Sequence, residues 1–227
     1  MSTCFLREVC NGKDCQKDFC LRKYKMDSLY SAALMSESQK KRITLKVDED
    51  GTDLEQFKQL AAIENNIVNF VNEGKNLYLH SANCGNGKSS WSVRLAQAYF
   101  NKIWARTEGK CRVLFISVPR YLLAIKDNIS NRNTYAEYIK ENVLEADLVI
   151  FDDIAAKMGS EFELTHLLNI IDNRISLGKS NIYTSNLNRQ QLYNALGERL
   201  TSRVANMSID IELHGADKRV LTNGGQN

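Results

Sequence analysis

The stretch Leu77-Tyr-Leu-His-Ser-Ala-Asn-Cys-Gly-Asn-Gly-Lys-Ser-Ser90 constrains this chain more than any other part of it. It reads as a short apolar strand, a glycine-bearing loop and the start of a helix. Residues Asn83 to Ser89 carry the core of a phosphate-binding loop, with Ala82 where that pattern usually begins with glycine. Gly85 and Gly87 permit positive φ and let the backbone approach a ligand closely. From Asn83 through Cys84, Gly85, Asn86, Gly87, Lys88, Ser89 and Ser90, successive N–H groups are expected to form an anion nest at a helix N-terminus. The Lys88 side chain then reaches the β- and γ-phosphates of a nucleotide, and the Ser89 hydroxyl can hold Mg²⁺.

A second element answers the first. Ala146-Asp-Leu-Val-Ile-Phe-Asp-Asp-Ile154 reads as a buried strand, Leu148 to Phe151, ending in two carboxylates. Ligands bind at the carboxyl ends of the strands in an open α/β sheet. This has the form of a Walker B element, in which Asp152 holds the Mg²⁺ opposite Ser89 and Asp153 polarises the attacking water. Asn181 to Leu187 is a further strand whose polar tip, Asn186, is expected beside the Walker B strand within reach of the γ-phosphate. Gln190 to Asn206 reads as a helix carrying Glu198-Arg-Leu-Thr-Ser-Arg203. Arg203, or Arg199 in second place, is a candidate arginine finger for a neighbouring subunit's nucleotide. Arg219 follows the alternating stretch Ile209 to Leu213 and is placed against the bound phosphates.

The flanking segments fill in an α/β pattern. Asp53 is expected to cap one long helix, Leu54 to about Glu73, that ends at Gly74. Ser89 to Arg106, Tyr121 to Ile129, Tyr135 to Glu145 and Phe162 to Leu177 read as helices, and Cys111 to Ser117 as a strand buried on both faces. Tyr24 to Gln39 also has helical spacing. The basic run Lys40-Lys-Arg42 that follows is read as a linker. It is either a solvated face or a phosphate contact with nucleic acid.

The beginning of the chain is different in kind. Four of its six cysteines, Cys4, Cys10, Cys15 and Cys20, fall within 17 positions. Four thiolates can close a tetrahedral structural Zn²⁺ site, and so short a segment needs a metal to supply stability. Unrelated thiols and an iron–sulfur cluster are the alternatives. Residues 1–47 hold ten Lys/Arg against five Asp/Glu, so the overall +3 is concentrated there and the remainder sums to −2. No run is long enough for a transmembrane helix and the start has no apolar signal core, so no membrane partner is expected and the reading is cytoplasmic. His80, His166 and His214 form no triad. The division expected is a Cys-rich segment at residues 1–47 and an ATPase domain at residues 48–227.

The order of parts resembles the AAA+ helicase loaders of the DnaC/DnaI type, including phage and mobile-element versions, and is similar to the IstB-type transposition helpers. The Thr184-Ser-Asn186 and Glu198–Arg203 elements narrow the likeness, which covers roughly residues 54–219. It implies a parallel sheet with helices on both faces and ATP bound between self-associated subunits. It also implies a replicative hexameric helicase and single-stranded DNA as partners. Three rivals stand beside this reading: a transposase as client, a non-hydrolysing nucleotide-switched binding module, and a small-molecule kinase.

Overall fold

The structure is a computed structural model and describes residues 4–6, 19–48, 51–107, 110–127, 132–156 and 160–215. Its centre is a parallel sheet of five strands: β1 (Asn76–His80), β2 (Val113–Ser117), β3 (Leu148–Asp152), β4 (Ser180–Ser185) and β5 (Ile209–Glu212). They lie in the order β2-β3-β4-β1-β5, and each neighbouring pair runs parallel.

The apolar runs in the sequence follow from the layering. Side chains alternate across a strand, so a sheet covered on both faces needs apolar residues at successive positions. Leu77, Leu79, Val113, Leu148, Ile150 and Ile182 face one core, which helices α3 (Leu54–Asn65), α4 (Ile67–Asn72) and α5 (Lys88–Ile103) cover. Tyr78, Leu114, Ile116, Val149, Phe151 and Tyr183 face the other, against α6 (Val118–Asp127), α7 (Thr134–Asn142), α8 (Glu161–Ser176) and α9 (Arg189–Thr201). Each of these leucines and isoleucines is at most 0 % exposed, worth about 1.5–3 kcal/mol of burial apiece.

Helix α1 (Leu21–Ala32) begins earlier than the periodicity suggests, because Cys20 serves as its N-cap, its sulfur accepting from Lys23 N–H at 3.5 Å. It also ends earlier. Leu34 takes a left-handed φ of 59°, and this turns the chain so that Ala33 C=O accepts from Phe115 N–H at 2.9 Å. The end of α1 thereby engages the outer strand β2, an edge that would otherwise present unpaired backbone groups. A short helix, α2 (Glu37–Lys40), follows behind a Ser36 capping box.

Residues 21–47 are therefore packed. Met26, Leu29, Tyr30 and Ala33 lie in the same cluster as Leu77 and Phe100, and Ile43 and Leu45 lean on it. The expected boundary at residue 47 coincides with no break in the core, and the stretch read as a linker lies against the sheet's helical layer.

Other local expectations need correction. The helix expected from Leu54 to Glu73 is two helices, divided at Asn66 (φ −108°, ψ 23°), whose side chain accepts from Asn69 Nδ2 at 2.8 Å. Such local bonding competes with helix continuation. Asp53 makes no cap bond to α3; its carboxylate accepts from Asp48 N–H at 2.8 Å. The last helix is interrupted at Gly197 (φ 75°, ψ 173°) and passes into a π-helical turn, Ser202–Asn206.

Candidate nucleotide site

The loop after β1 has the expected form. Gly85 (φ 78°) and Gly87 (φ 104°) take left-handed conformations, and Lys88 is the first residue of α5. Lys88 is 6 % exposed. Its ammonium donates to Asn83 C=O at 2.9 Å, to Asn86 Oδ1 at 3.3 Å and to Ser81 C=O at 3.5 Å. Asn86 Nδ2 donates to Ser81 Oγ and to Leu213 C=O, the latter at 3.1 Å. Asn83 Nδ2 reaches Gly215 C=O at 3.1 Å. Both side chains thus tie the loop to the segment just after β5. Cys84 and Ser89 are exposed and Ser90 is half-buried.

Strand order brings the acidic element alongside. Ser89 Oγ donates to Asp152 Oδ1 at 2.8 Å, and Thr184 Oγ1 donates to the same oxygen at 2.7 Å. Burial pushes the Asp152 carboxyl above its ordinary range, with the bonds from Thr184 and Ser89 acting in the other direction. A hydroxyl and a carboxylate so close form a hard oxygen donor set suited to Mg²⁺. The residues present therefore fit the ion that a phosphate loop requires.

The turn after Asp152 is held by β4. Asp153 has a left-handed φ of 56° and its N–H donates to Thr184 Oγ1 at 2.9 Å. Ile154 N–H donates to Thr184 C=O at 2.9 Å, and Ser185 Oγ donates to Ile154 C=O at 2.9 Å. Thr184 thus fixes both acidic residues, a role that sequence reading missed. The signal available was its position one strand over, a hydroxyl directly after the apolar pair Ile182-Tyr183.

Asn186 is exposed, one residue beyond β4, and β4 lies between the loop-bearing β1 and the acid-bearing β3. Its neighbours are pinned: Tyr78 Oη donates to Leu187 C=O at 2.6 Å and Leu187 N–H to Ser185 Oγ at 3.2 Å. Arg203 lies in the π-helical turn and pairs with Asp172 of α8. Arg199 is exposed, and no ion pair involves it among the described residues. Arg219 lies outside the described residues, as do Cys10 and Cys15. Cys4 is half-buried against the core and Cys20 caps α1. Among the described residues no group of three His, Cys, Asp or Glu side chains could hold a metal ion.

A second feature not foreseen is the approach of Leu45 to the loop. A Cβ on Gly87 would lie 3.7 Å from Leu45 Cδ2, and one on Gly215 would strike the Asp48 carboxylate. Leu45 thus lies against Gly87 of the loop, and Asp48 against Gly215 after β5. Among the described residues, no helix is long and apolar enough to cross a membrane.

No family model matches the chain. The replicative helicase loader DnaC of Escherichia coli K12 is 30 % identical over 141 residues, covering 62 % of this chain and 51 % of that protein. The chain thus spans about half the length of the curated relatives it matches. A putative primosome component from Streptococcus pyogenes superposes with a TM-score of 0.61 at 22 % identity, covering 85 % of this chain and 98 % of that one. The crystal structure of DnaI gives 0.58 at 21 % identity, with 82 % and 94 % covered. The parallel sheet with helices on both faces is the fold these structures share, and in sequence and fold the chain is similar to helicase loaders of the DnaC/DnaI type.

Proposed function

We propose that this protein is an ATP-dependent loader of a replicative hexameric helicase, which binds ATP with Mg²⁺ and single-stranded DNA and hydrolyses ATP to switch its grip on the helicase. The observation that carries the reading is the 2.8 Å contact between Ser89 and Asp152 beside the buried Lys88.

The phosphate loop takes the triphosphate on its amides, and Lys88 exchanges its neutral oxygen partners for phosphate oxygens. Ser89 and Asp152 would hold the Mg²⁺, which when bound neutralises phosphate charge. Asp153 orients and polarises the attacking water, with Asn186 on the adjacent strand end. Arg203 acts from a neighbouring subunit, exchanging Asp172 for the transferred phosphoryl group, and Arg219 supports the phosphates. Self-association is therefore part of the reading. The work is conformational, so turnover alone is slow and single-stranded DNA raises it.

The same reading keeps Cys4, Cys10, Cys15 and Cys20 as a Zn²⁺ set in the helicase-contacting segment, to be decided by metal content of the purified protein. The test of function mixes the protein with its host's replicative helicase and a circular single strand, with ATP or a non-hydrolysable analogue. Helicase transfer to the circle with ATP alone supports the proposal. Transfer that is independent of the protein overturns it. A nucleotide switch without hydrolysis would show as full activity in Asp153→Asn and none in Lys88→Ala. Productive coupling to a transposase instead would reassign the client.

A further inference from the structure

Several basic side chains on this molecule are answered by a carboxylate. Lys40 pairs with Glu37 at 2.7 Å, Arg94 with Glu64 at 2.9 Å, Arg112 with Asp147 at 2.6 Å and Lys126 with Glu163 at 2.8 Å. The seam where α1 meets the 3-10 turn Trp104–Arg106 gathers cations that are not so answered. Arg22 lays its guanidinium over the Trp104 ring at 5.4 Å and donates to Asn101 Oδ1 at 3.3 Å. Lys25 donates to Ala105 C=O at 3.4 Å. Lys23 on α1, and Lys102 and Arg106 on the other side of the seam, are exposed. Among the described residues none of these five cations has an ion-pair partner. Asp27, one turn along α1 from Lys23, is engaged by Lys40 at 3.3 Å.

The same helix end exposes aromatic rings. Phe19 is 66 % and Tyr24 65 % exposed, their centroids 6.1 Å apart. Both rings stand clear of the core, whereas Tyr30, two turns along, is buried against Phe100. Unpaired cations beside exposed aromatic faces are the chemistry that holds a single-stranded nucleic acid: the charges take the phosphates and each ring offers a base a stacking platform, whatever its sequence. An apolar protein helix laid here would leave these cations uncompensated, so charge complementarity favours a polyanion.

We infer that this seam is a contact surface for single-stranded nucleic acid, with phosphates running along Lys23, Lys25, Lys102 and Arg106 and bases stacked on Tyr24 and Phe19. The inference rests on the proposed loader reading in one respect: it locates that reading's single-stranded DNA contact, away from the phosphate loop.

The test uses the full chain and a dye-labelled oligo-dT strand, with affinity read by fluorescence anisotropy across a salt series. Tyr24→Ala is expected to weaken binding on the order of tenfold with the salt slope unchanged, and Tyr24→Phe to keep affinity within about twofold. The pair Lys23→Glu with Arg106→Glu is expected to flatten the slope of log K against log salt by about 1.4, at about 0.7 per phosphate lost. These positions are exposed, so melting temperature and the affinity for a fluorescent ATP analogue stay at wild-type values. Unchanged strand affinity and slope in all the variants, with the wild type binding, overturn this surface and leave the loader reading standing. Loss of helicase binding with strand affinity intact makes the seam a protein-docking face and also overturns the inference. A wild type that binds no strand at any salt removes both this surface and the DNA component of the proposed function.

Discussion

Two buried cations sit at opposite edges of the sheet, and they are held differently. Arg174 of α8 is 0 % exposed. Its guanidinium donates to Val143 C=O (2.5 Å), Ala146 C=O (2.9 Å), Ser180 C=O (2.6 Å) and Asn181 Oδ1 (2.6 Å). Asn181 in turn donates to Asn76 Oδ1 at 2.9 Å, so the network joins the starts of β3, β4 and β1. Burial pushes the Arg174 pKa down to about 10, and the group stays protonated at neutral pH. Lys88, at the other edge, donates to neutral oxygens at 2.9 to 3.5 Å and also acts on the Asp152 carboxylate. A planar guanidinium whose donors are used in short bonds fixes geometry. An ammonium on a flexible stem, loosely held by a loop, can change partners. One edge of the sheet is thus a clamp, and at the other we propose an exchange of ligands.

Removing each cation separates the two roles. Arg174→Met leaves buried carbonyls without donors and should cost the fold about 3–5 kcal/mol, read from the shift of the urea midpoint. Lys88→Ala should move that midpoint by less than about 1 kcal/mol. It should weaken ATP by about a hundredfold, near 3 kcal/mol of lost charge-assisted bonding, measured by titration calorimetry. The contrast fails if Lys88→Ala unfolds the protein or Arg174→Met leaves its stability intact.

At the exchanging edge, Asp153→Asn should lower turnover about a hundredfold while ATP affinity holds, since the side chain is assigned to the water and not to the nucleotide. Single-turnover hydrolysis with parallel binding measurements separates the two. The smallest effect is expected at the clamped edge, where two helix-ending glycines meet. A Cβ on Gly74 (φ 64°) would lie 2.5 Å from Gly178 C=O, whereas one on Gly178 (φ 65°) has open space. Gly74→Ala should therefore cost about 2 kcal/mol and Gly178→Ala only about 1 kcal/mol, the latter from conformation alone. Equal costs at the two positions would show that the close approach carries no energy.

The exchanging edge was largely legible in the sequence and the clamped edge was not. The phosphate loop announces itself because Gly85, Gly87, Lys88 and Ser89 are needed at fixed spacing. The strands announce themselves because both sheet faces are covered. Asp152 followed from its place at the end of an apolar run. Arg174 was invisible, because an arginine in an amphipathic helix reads as a solvated charge until the carbonyls around it are seen. Thr184 was visible as part of a motif but not as the donor to Asp152, since its partner comes from a strand 32 residues away. The packing of residues 21–47 was hidden for a related reason. Their apolar residues are interrupted by the basic run Lys40-Lys-Arg42, and only the turn at Leu34 reveals that α1 is directed onto β2. The approach of Leu45 to Gly87 depends on that same path of the chain.

We propose that Ser89 and Asp152 together hold the nucleotide's magnesium. The most direct measurement is ATP affinity with Mg²⁺ and with EDTA, in the wild type, Ser89→Ala and Asp152→Asn. Mg²⁺ is expected to tighten ATP binding in the wild type, and either substitution to remove most of this gain while metal-free binding persists. An affinity that is the same with and without Mg²⁺ in the wild type, or a gain undiminished in both variants, would contradict it.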